Sequence, residues 1–305
     1  MKKLVSVCFP VFENEQSLGE LYERTNKVTG QFSDLEFELI FVNDGSKDNS
    51  LKELNRIKEV NGDNRLRIIN LSRNFGQTAA IIAAWEAAKG DAVINLAADL
   101  QDPPEQCIPM INEWLTGKEI VISYRKSHGQ TIFNKITSKL FYQLVLPDVP
   151  SGGFDVALLS RKALTAFLSL NERNRFYQYD ILWIGFDKSY IAYDKVSRVH
   201  GKSQFGFSRR FKYFLNAFLY TSYLPLRLMT YLGFGFAISG FIYSLVIVYS
   251  YFLYSTPFKG WSPIMILLLI IGGLIMMMLG IVGEYIWRIF EETKNKPLYI
   301  VESEN

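Results

Sequence analysis

The stretch "AVINLAADLQDPPE", residues 92–105, decides the fold. Its first half, "AVINLAA", is a short apolar run bounded by turn residues, which is how a buried strand reads. Its second half is an acidic turn closed by Pro103 and Pro104. Working upstream, Thr78 to Lys89 is an Ala-rich helical segment closed by Gly90, and "LRIINLS" is a third strand. Ser46 to Val60 is a helix, with Ser46 or Asp48 as its cap. "FELIFVNDGS" is a strand ending in an Asn-Asp-Gly turn. Leu18 to Phe32 is a helix with Leu18, Leu21, Tyr22, Thr25 and Val28 on one side, and "LVSVCFPVF" is the first strand. Strands alternating with helices imply βα units and an α/β, mostly parallel, Rossmann-like sheet. Ligands bind beyond the carboxyl ends of such strands. "NDGSKDNS", "SRNFGQ" and "DLQDPPE" all lie at those ends and are expected to converge on one cleft.

The chain has 305 residues, enough for one large domain plus something extra, or for two small domains. With 49% hydrophobic and 21% charged residues it is not a disordered chain. A net charge of +3 is too small to argue for nucleic acid, and none is expected as a partner. Cys8 and Cys107 read as buried thiols. His128 and His200 give no zinc spacing with them. "MKKLVSVCFPVF" lacks a full apolar signal region and reads as a strand, not a signal peptide.

The character changes near residue 205. No charged residue occurs between Arg227 and Lys259, nor between Lys259 and Glu284. A membrane span needs about 20 predominantly apolar residues. Two spans are expected near 229–253 and 263–287, forming a hairpin turned at Pro257, Lys259, Gly260 and Pro263. Gly233, Gly235, Gly240, Gly272, Gly273, Gly280 and Gly283 accompany them, as in packed membrane helices. Arg209, Arg210, Lys212 and Arg227 precede the hairpin, and Arg288, Lys294 and Lys296 follow it. The positive-inside rule then places the N-terminal domain and both termini in the cytoplasm. In a bacterium the membrane is the inner one. "FSRRFKYFLNAFLYTSYLPLRL" reads as an amphipathic interfacial segment, or as a helix packed on the soluble domain. The expected division is a domain at 1–205, a juxtamembrane segment at 206–228, a hairpin at 229–290 and a cytoplasmic tail at 291–305.

Pro10 and Phe12 shape the first strand exit. Glu15 accepts hydrogen bonds from a ligand or favours the positive helix end. Asp44 suits a ribose or a base N–H, or forms a simple Asx turn. Each of these motifs is common; their joint order at successive strand ends is specific.

That order resembles the family-2 glycosyltransferases of the GT-A fold, in the group of polyprenyl-phosphate glycosyltransferases. The pieces that carry the resemblance are "PVFENEQSL", "VNDGSKDNS", "NLSRNFGQTAAIIAAWEAAKGDAVINLAADLQDPPE", "SGGFDVALLSR", "NERNRFYQYDILWIGF" and "RVHGKSQFGF". They span residues from about 5 to 210, and the two-span hairpin matches the bactoprenol subgroup. The resemblance implies a hexosyltransferase. It would move a sugar from a nucleotide sugar, usually UDP-linked, to polyprenyl phosphate, with inversion, at the cytoplasmic membrane face. A divalent cation, Mg2+ or Mn2+, and a homo-oligomer are implied as well.

Residue by residue, the resemblance places Pro10, Phe12, Glu15 and Asp44 in the nucleoside pocket and Arg73 on the diphosphate, unless Arg73 is only a surface ion pair. The family's acidic turn, Asp-Ala-Asp-Leu-Gln, stands here as Ala97-Ala98-Asp99-Leu100-Gln101. The first carboxylate is missing, and Asp99 and Gln101 are the implied metal ligands. Asp102 is a helper or a helix cap. Asp155 is assigned to the reaction centre beside Asp99. Arg125 and Lys126 would meet a phosphate, whereas Arg161 is structural. Glu172, Arg173 and Arg175 come from "NERNRF". Arg198, Lys202 and Ser203 are implied phosphate ligands, or a basic face on anionic lipid. Trp183 reads as core. The alternatives are a family-2 transferase acting on a glycolipid hydroxyl, and a catalytically silent membrane scaffold marked by Ala97.

Overall fold

The computed structural model describes residues 2–125, 154–170, 172, 175–193, 224–254 and 261–305. It divides into two units: residues 1–217 with 296–305, and residues 218–295.

The first unit is built on one eight-stranded sheet. Strands β1 (Lys3–Val11), β2 (Leu35–Asn43), β3 (Leu66–Leu71) and β4 (Ala92–Asn95) run parallel in the spatial order β4-β1-β2-β3. Helices α1 (Leu18–Thr29), α2 (Ser50–Asn61) and α3 (Gln77–Ala87) connect them. Val5, Val7, Phe9 and Val11 of β1 and Leu39 and Phe41 of β2 are buried, as parallel strands covered on both faces require. Phe9 and Phe41 stack with centroids 4.5 Å apart, an arrangement that adds roughly 0.5–1.5 kcal/mol beyond area burial. Cys8 and Cys107 are buried free thiols; burial raises both, Cys107 to about 12, so neither is a nucleophile near neutral pH.

Helix α2 begins at Ser50, four residues later than expected. Of the two residues expected to cap it, Asp48 still serves the helix start and Ser46 is engaged elsewhere. Ser46 Oγ accepts from the Glu13 amide, and the Asp48 carboxylate accepts from the amides of Ser50 and Glu15. Strand β4 ends at Asn95, so Leu96 and Ala97 already belong to the turn.

The second half of the sheet is mixed. β6 (Phe154–Ser160) lies antiparallel between β4 and β5 (Ile120–Arg125), and β7 (Lys188–Tyr193) pairs parallel with β5. A single 3-10 turn, Pro104–Gln106, leads into α4 (Cys107–Leu115). α5 (Arg161–Leu168) and α6 (Tyr177–Trp183) follow β6. The guanidinium of Arg161 donates to the carbonyls of Ala88 and Gly90, the structural role expected of it.

The C-terminal residues are not simply a tail. β8 (Val301–Glu304) pairs antiparallel with β3 and closes that edge of the sheet. Its four residues are exposed and charge-rich, with no run of apolar side chains to mark a strand.

The second unit contains α7 (Leu224–Tyr254) and α8 (Trp261–Thr293). At about 1.5 Å per residue each exceeds the roughly 30 Å of a bilayer core. Both extend beyond the expected spans. Ile270–Thr293 is long and apolar enough to cross a membrane. Large apolar side chains such as Phe241, Phe252 and Met276 face outward. The expected amphipathic segment lies, up to residue 223, outside the described residues.

Candidate active site

The order of the parallel strands places the site. The chain runs outward from β1 through β2 to β3, then returns to lay β4 on the other side of β1. The crevice beyond the carboxyl ends of β1 and β4 is therefore the topological switch point, where such sheets bind ligands. The loops after β1, β2 and β3 and the turn after β4 border it.

These loops are tied together before any ligand arrives. Asp44, only 3% exposed, follows β2 and donates its amide to the Val11 carbonyl at the end of β1. Its two carboxylate oxygens accept from the amides of Phe75 and Gly76, at 2.7 and 2.9 Å. Burial raises its pKa, while those two amides and the nearby Arg73 pull it back. Asp44 thus fixes the loop after β3. Gly45 is obligatory beside it: its φ is +61°, and a Cβ there would lie 2.4 Å from the Arg73 backbone. Arg73 is exposed at this loop and stacks its guanidinium over Phe75, 4.1 Å from the ring centre. Glu15 accepts from the backbone and side-chain nitrogens of Asn49, bracing the start of α2. Pro10 and Phe12 line the β1 exit, half-buried.

The acidic turn is built differently. Ser17, at the start of α1, donates to the Ala98 carbonyl at 2.6 Å. Leu100 adopts φ +61°, unusual for a leucine, with its side chain buried in the core. That pairing of a buried anchor with a left-handed backbone reverses the chain between Asp99 and Gln101. Asp99 Oδ1 accepts from the Gln101 amide, and both side chains are partly exposed at the turn. Asp102 is no helix cap. It is buried and accepts a hydrogen bond from the Tyr193 hydroxyl of β7, joining the turn to the second half of the sheet.

Because β6 runs antiparallel to β4, its first residues arrive beside the acidic turn. Asn95 Nδ2 donates to the Asp155 carbonyl at 2.6 Å, and Asn95 Oδ1 accepts from the Ala157 amide. Tyr177 and Gln178 of α6 donate to the carbonyls of Asp155 and Phe154. The backbone around Asp155 is thereby pinned to Asn95, the last residue of β4, four positions before Asp99. Sequence reasoning missed Asn95. The available signal was a polar side chain ending an otherwise apolar strand.

Arg175, which the sequence left without a role, forms a buried ion pair with Asp180 at 3.0 Å and covers Phe167. Trp183 is 62% exposed and not core. Arg125 ends β5, opposite Tyr193. Lys126, Arg173, Arg198, Lys202 and Ser203 lie outside the described residues.

Among the described residues no three His, Cys, Asp or Glu side chains gather as a metal site. The turn offers one carboxylate, Asp99, and one amide oxygen, Gln101. Those suit a hard cation that takes its remaining ligands from phosphate oxygens and water.

A parallel sheet with donor-type loops at its switch point and an acidic turn after the fourth strand is the GT-A arrangement of nucleotide-sugar-dependent glycosyltransferases. The mannosyltransferase PcManGT of Pyrobaculum calidifontis, solved with GDP-Man and Mn2+, shares this fold. Its TM-score is 0.50 at 16% identity, covering 71% of this chain and 63% of that one. Residues 6–184 match the family model of glycosyl transferase family 2, and residues 224–289 that of the GtrB C-terminal hairpin. The chain belongs to glycosyl transferase family 2 and is a glycosyltransferase. Among its relatives, the uncharacterized glycosyltransferase YkcC of Bacillus subtilis is 35% identical, over 97% of this chain and 93% of that protein. The bactoprenol glucosyl transferase of Shigella phage SfV is 30% identical, over 98% of each.

Proposed function

We propose that this enzyme transfers a sugar from a nucleotide sugar, with UDP as the nucleotide, to undecaprenyl phosphate or a similar polyprenyl phosphate. The product, formed with inversion at the cytoplasmic face, is a polyprenyl-phosphate sugar for cell-envelope glycans. The observation that carries this reading is the Asp99–Gln101 turn directly after β4, whose last residue Asn95 holds the Asp155 backbone at the switch point, in a chain that also carries two long apolar helices. Relatives named bactoprenol glucosyl transferases, aligned over nearly the whole chain, support the acceptor class.

The acceptor phosphate is ionised near neutral pH, so no strong base is needed to activate it. The remaining work is positioning and charge stabilisation. Pro10, Phe12 and Glu15 border the nucleoside, and Asp44 holds the loop that presents Arg73 to the diphosphate. Asp155 orients the sugar or the incoming phosphate. Arg125, Arg198, Lys202 and Ser203 are assigned to the phosphates. An acceptor phosphate oxygen bonds to the anomeric carbon as the bond to the nucleoside diphosphate breaks on the opposite face. Asp99 and Gln101 would hold a divalent cation together with diphosphate oxygens. When bound, that cation offsets charge on the departing diphosphate.

Pairing of β8 with β3 keeps the C-terminal strand on the same side of the membrane as the catalytic domain. The chain between them then crosses an even number of times, in agreement with a hairpin in the inner membrane and both termini in the cytoplasm. The seven glycines of α7 and α8 have open space where a side chain would stand, which suits close packing against a second copy in a homo-oligomer.

The test is transfer from a panel of labelled UDP-sugars to undecaprenyl phosphate in membranes holding the full chain, with and without EDTA. Lipid-linked sugar from one donor is expected, and EDTA should abolish it. No product from any donor would overturn the reading; product that survives EDTA would remove the cation from it.

A further inference from the structure

Three strands across the sheet from β4 and its acidic turn, the edge at β3 carries an arrangement that the catalytic reading does not use. Leu71 of β3 pairs with Val301, while Asn70 pairs with Ser303. Glu302 is therefore an extra residue, a bulge in β8. Bulges re-aim a side chain, and they recur next to active sites. Here the Glu302 carboxylate accepts from Asn70 Nδ2 at 2.7 Å. Asn70 Oδ1 in turn accepts from Asn43 Nδ2, also at 2.7 Å. Asn43 is the buried last residue of β2, directly before Asp44. One step further along, the Ser72 amide donates to the Ile300 carbonyl, fixing the start of the loop whose Phe75 and Gly76 amides Asp44 holds. The C-terminal segment thus reaches both ends of the Asp44–loop contact.

The strand does little else. All four residues of β8 are exposed, so it contributes almost nothing to the core. Its other side-chain anchor, Glu304 to Arg67, sits three residues further back on β3, toward the strand's N-terminal end and away from the loop. A segment with little buried apolar surface opens at low free energy.

We propose that the C-terminal strand positions the donor loop, with Glu302 and Asn70 as positioning residues that set affinity for the nucleoside diphosphate part of the donor. This rests on the nucleotide-sugar reading of the site. Glu302 does not touch donor; it acts through Asn70, Asn43 and the Ser72–Gly76 loop.

The experiment uses the full chain in lipid nanodiscs, measuring UDP binding by calorimetry and donor KM and kcat in the transfer assay. Glu302→Ala is expected to weaken UDP binding and raise donor KM roughly five- to tenfold, as loss of a charge-assisted hydrogen bond does, with kcat within about twofold. Glu302→Gln keeps an acceptor for Asn70 and should restore most of the affinity. Glu304→Ala, cutting the distant anchor, should leave donor KM unchanged. Equal UDP affinity in Glu302→Ala and the parent protein would overturn the proposal while leaving the enzyme reading intact. An equal KM rise in Glu304→Ala would overturn it too, because the strand would then act only as general support. If the parent protein binds no UDP, the nucleotide reading itself fails.

Discussion

Two aspartates stand at strand exits beside the same crevice, and they are held in opposite ways. Asp44 is buried, and both its oxygens accept amides from a loop more than thirty positions away in sequence. Asp99 is partly exposed, and the amide it accepts comes from two residues further along its own turn. The first joins distant pieces of chain and is architecture. The second closes its own turn and stands partly exposed at the strand end. An acid at a strand end is therefore read by where its donors come from.

Mutation can break this contrast. The largest effect is expected from Asp99→Ala: transfer falls by about 100-fold or more while the thermal unfolding midpoint stays within a degree or two, because the side chain is partly exposed and such substitutions cost little stability. Retained activity in the membrane assay would remove Asp99 from the reaction. Asp44→Ala should do the reverse in kind. It leaves two partly buried amides without partners, for a loss of about 2–4 kcal/mol, with faster hydrogen exchange at Phe75 and Gly76. Unchanged exchange there would deny Asp44 its role as a tie. Gly45→Ala should cost about 2 kcal/mol or more, since the left-handed backbone and the clash with Arg73 act together. Its readout is the same unfolding curve.

Ala97→Asp sharpens the comparison from the other side. It returns a second carboxylate to the acidic turn, and is expected to lower the Mg2+ or Mn2+ concentration for half-maximal transfer by about tenfold. An unchanged cation titration would show that residue 97 faces away from the diphosphate. The smallest effect is acid stability. Asp63, bonded to Arg65 and to Tyr22, has its pKa held below the ordinary 3.8. Its stabilisation is full above about pH 4 and is lost as pH falls through the lower folded value. Asp63→Asn should therefore lower neutral stability slightly and flatten the acid side of the unfolding profile between about pH 5 and 2, the two proteins converging at the acid end.

Much of this was legible in the sequence. The first four strands, their helices and the acidic turn each have local signatures: apolar runs, a helical face from Leu18 to Val28, turn residues. The two long apolar helices were legible from a gap in charge. What stayed hidden depends on distant partners. Arg175 looks like any basic loop residue until Asp180 and Phe167 close around it. Trp183 looks like core until its neighbours leave it uncovered. The left-handed Leu100 follows from the need to bury its side chain while reversing the turn. Strand β8 has no pattern of its own, and its partner Asn70 lies 232 residues away from Glu302.

That distance has a consequence for how the protein is made. At about 5–20 residues per second, the edge of β3 leaves the ribosome some ten to fifty seconds before the strand that covers it. Both hairpin helices are synthesised in between. Until then the nascent sheet carries an open edge, the kind of surface on which chains pair wrongly. A soluble fragment cut before α7 would keep that edge open for good. Such a fragment would report on aggregation as much as on catalysis, whereas a circularly rearranged domain carrying residues 296–305 ahead of Met1 would not.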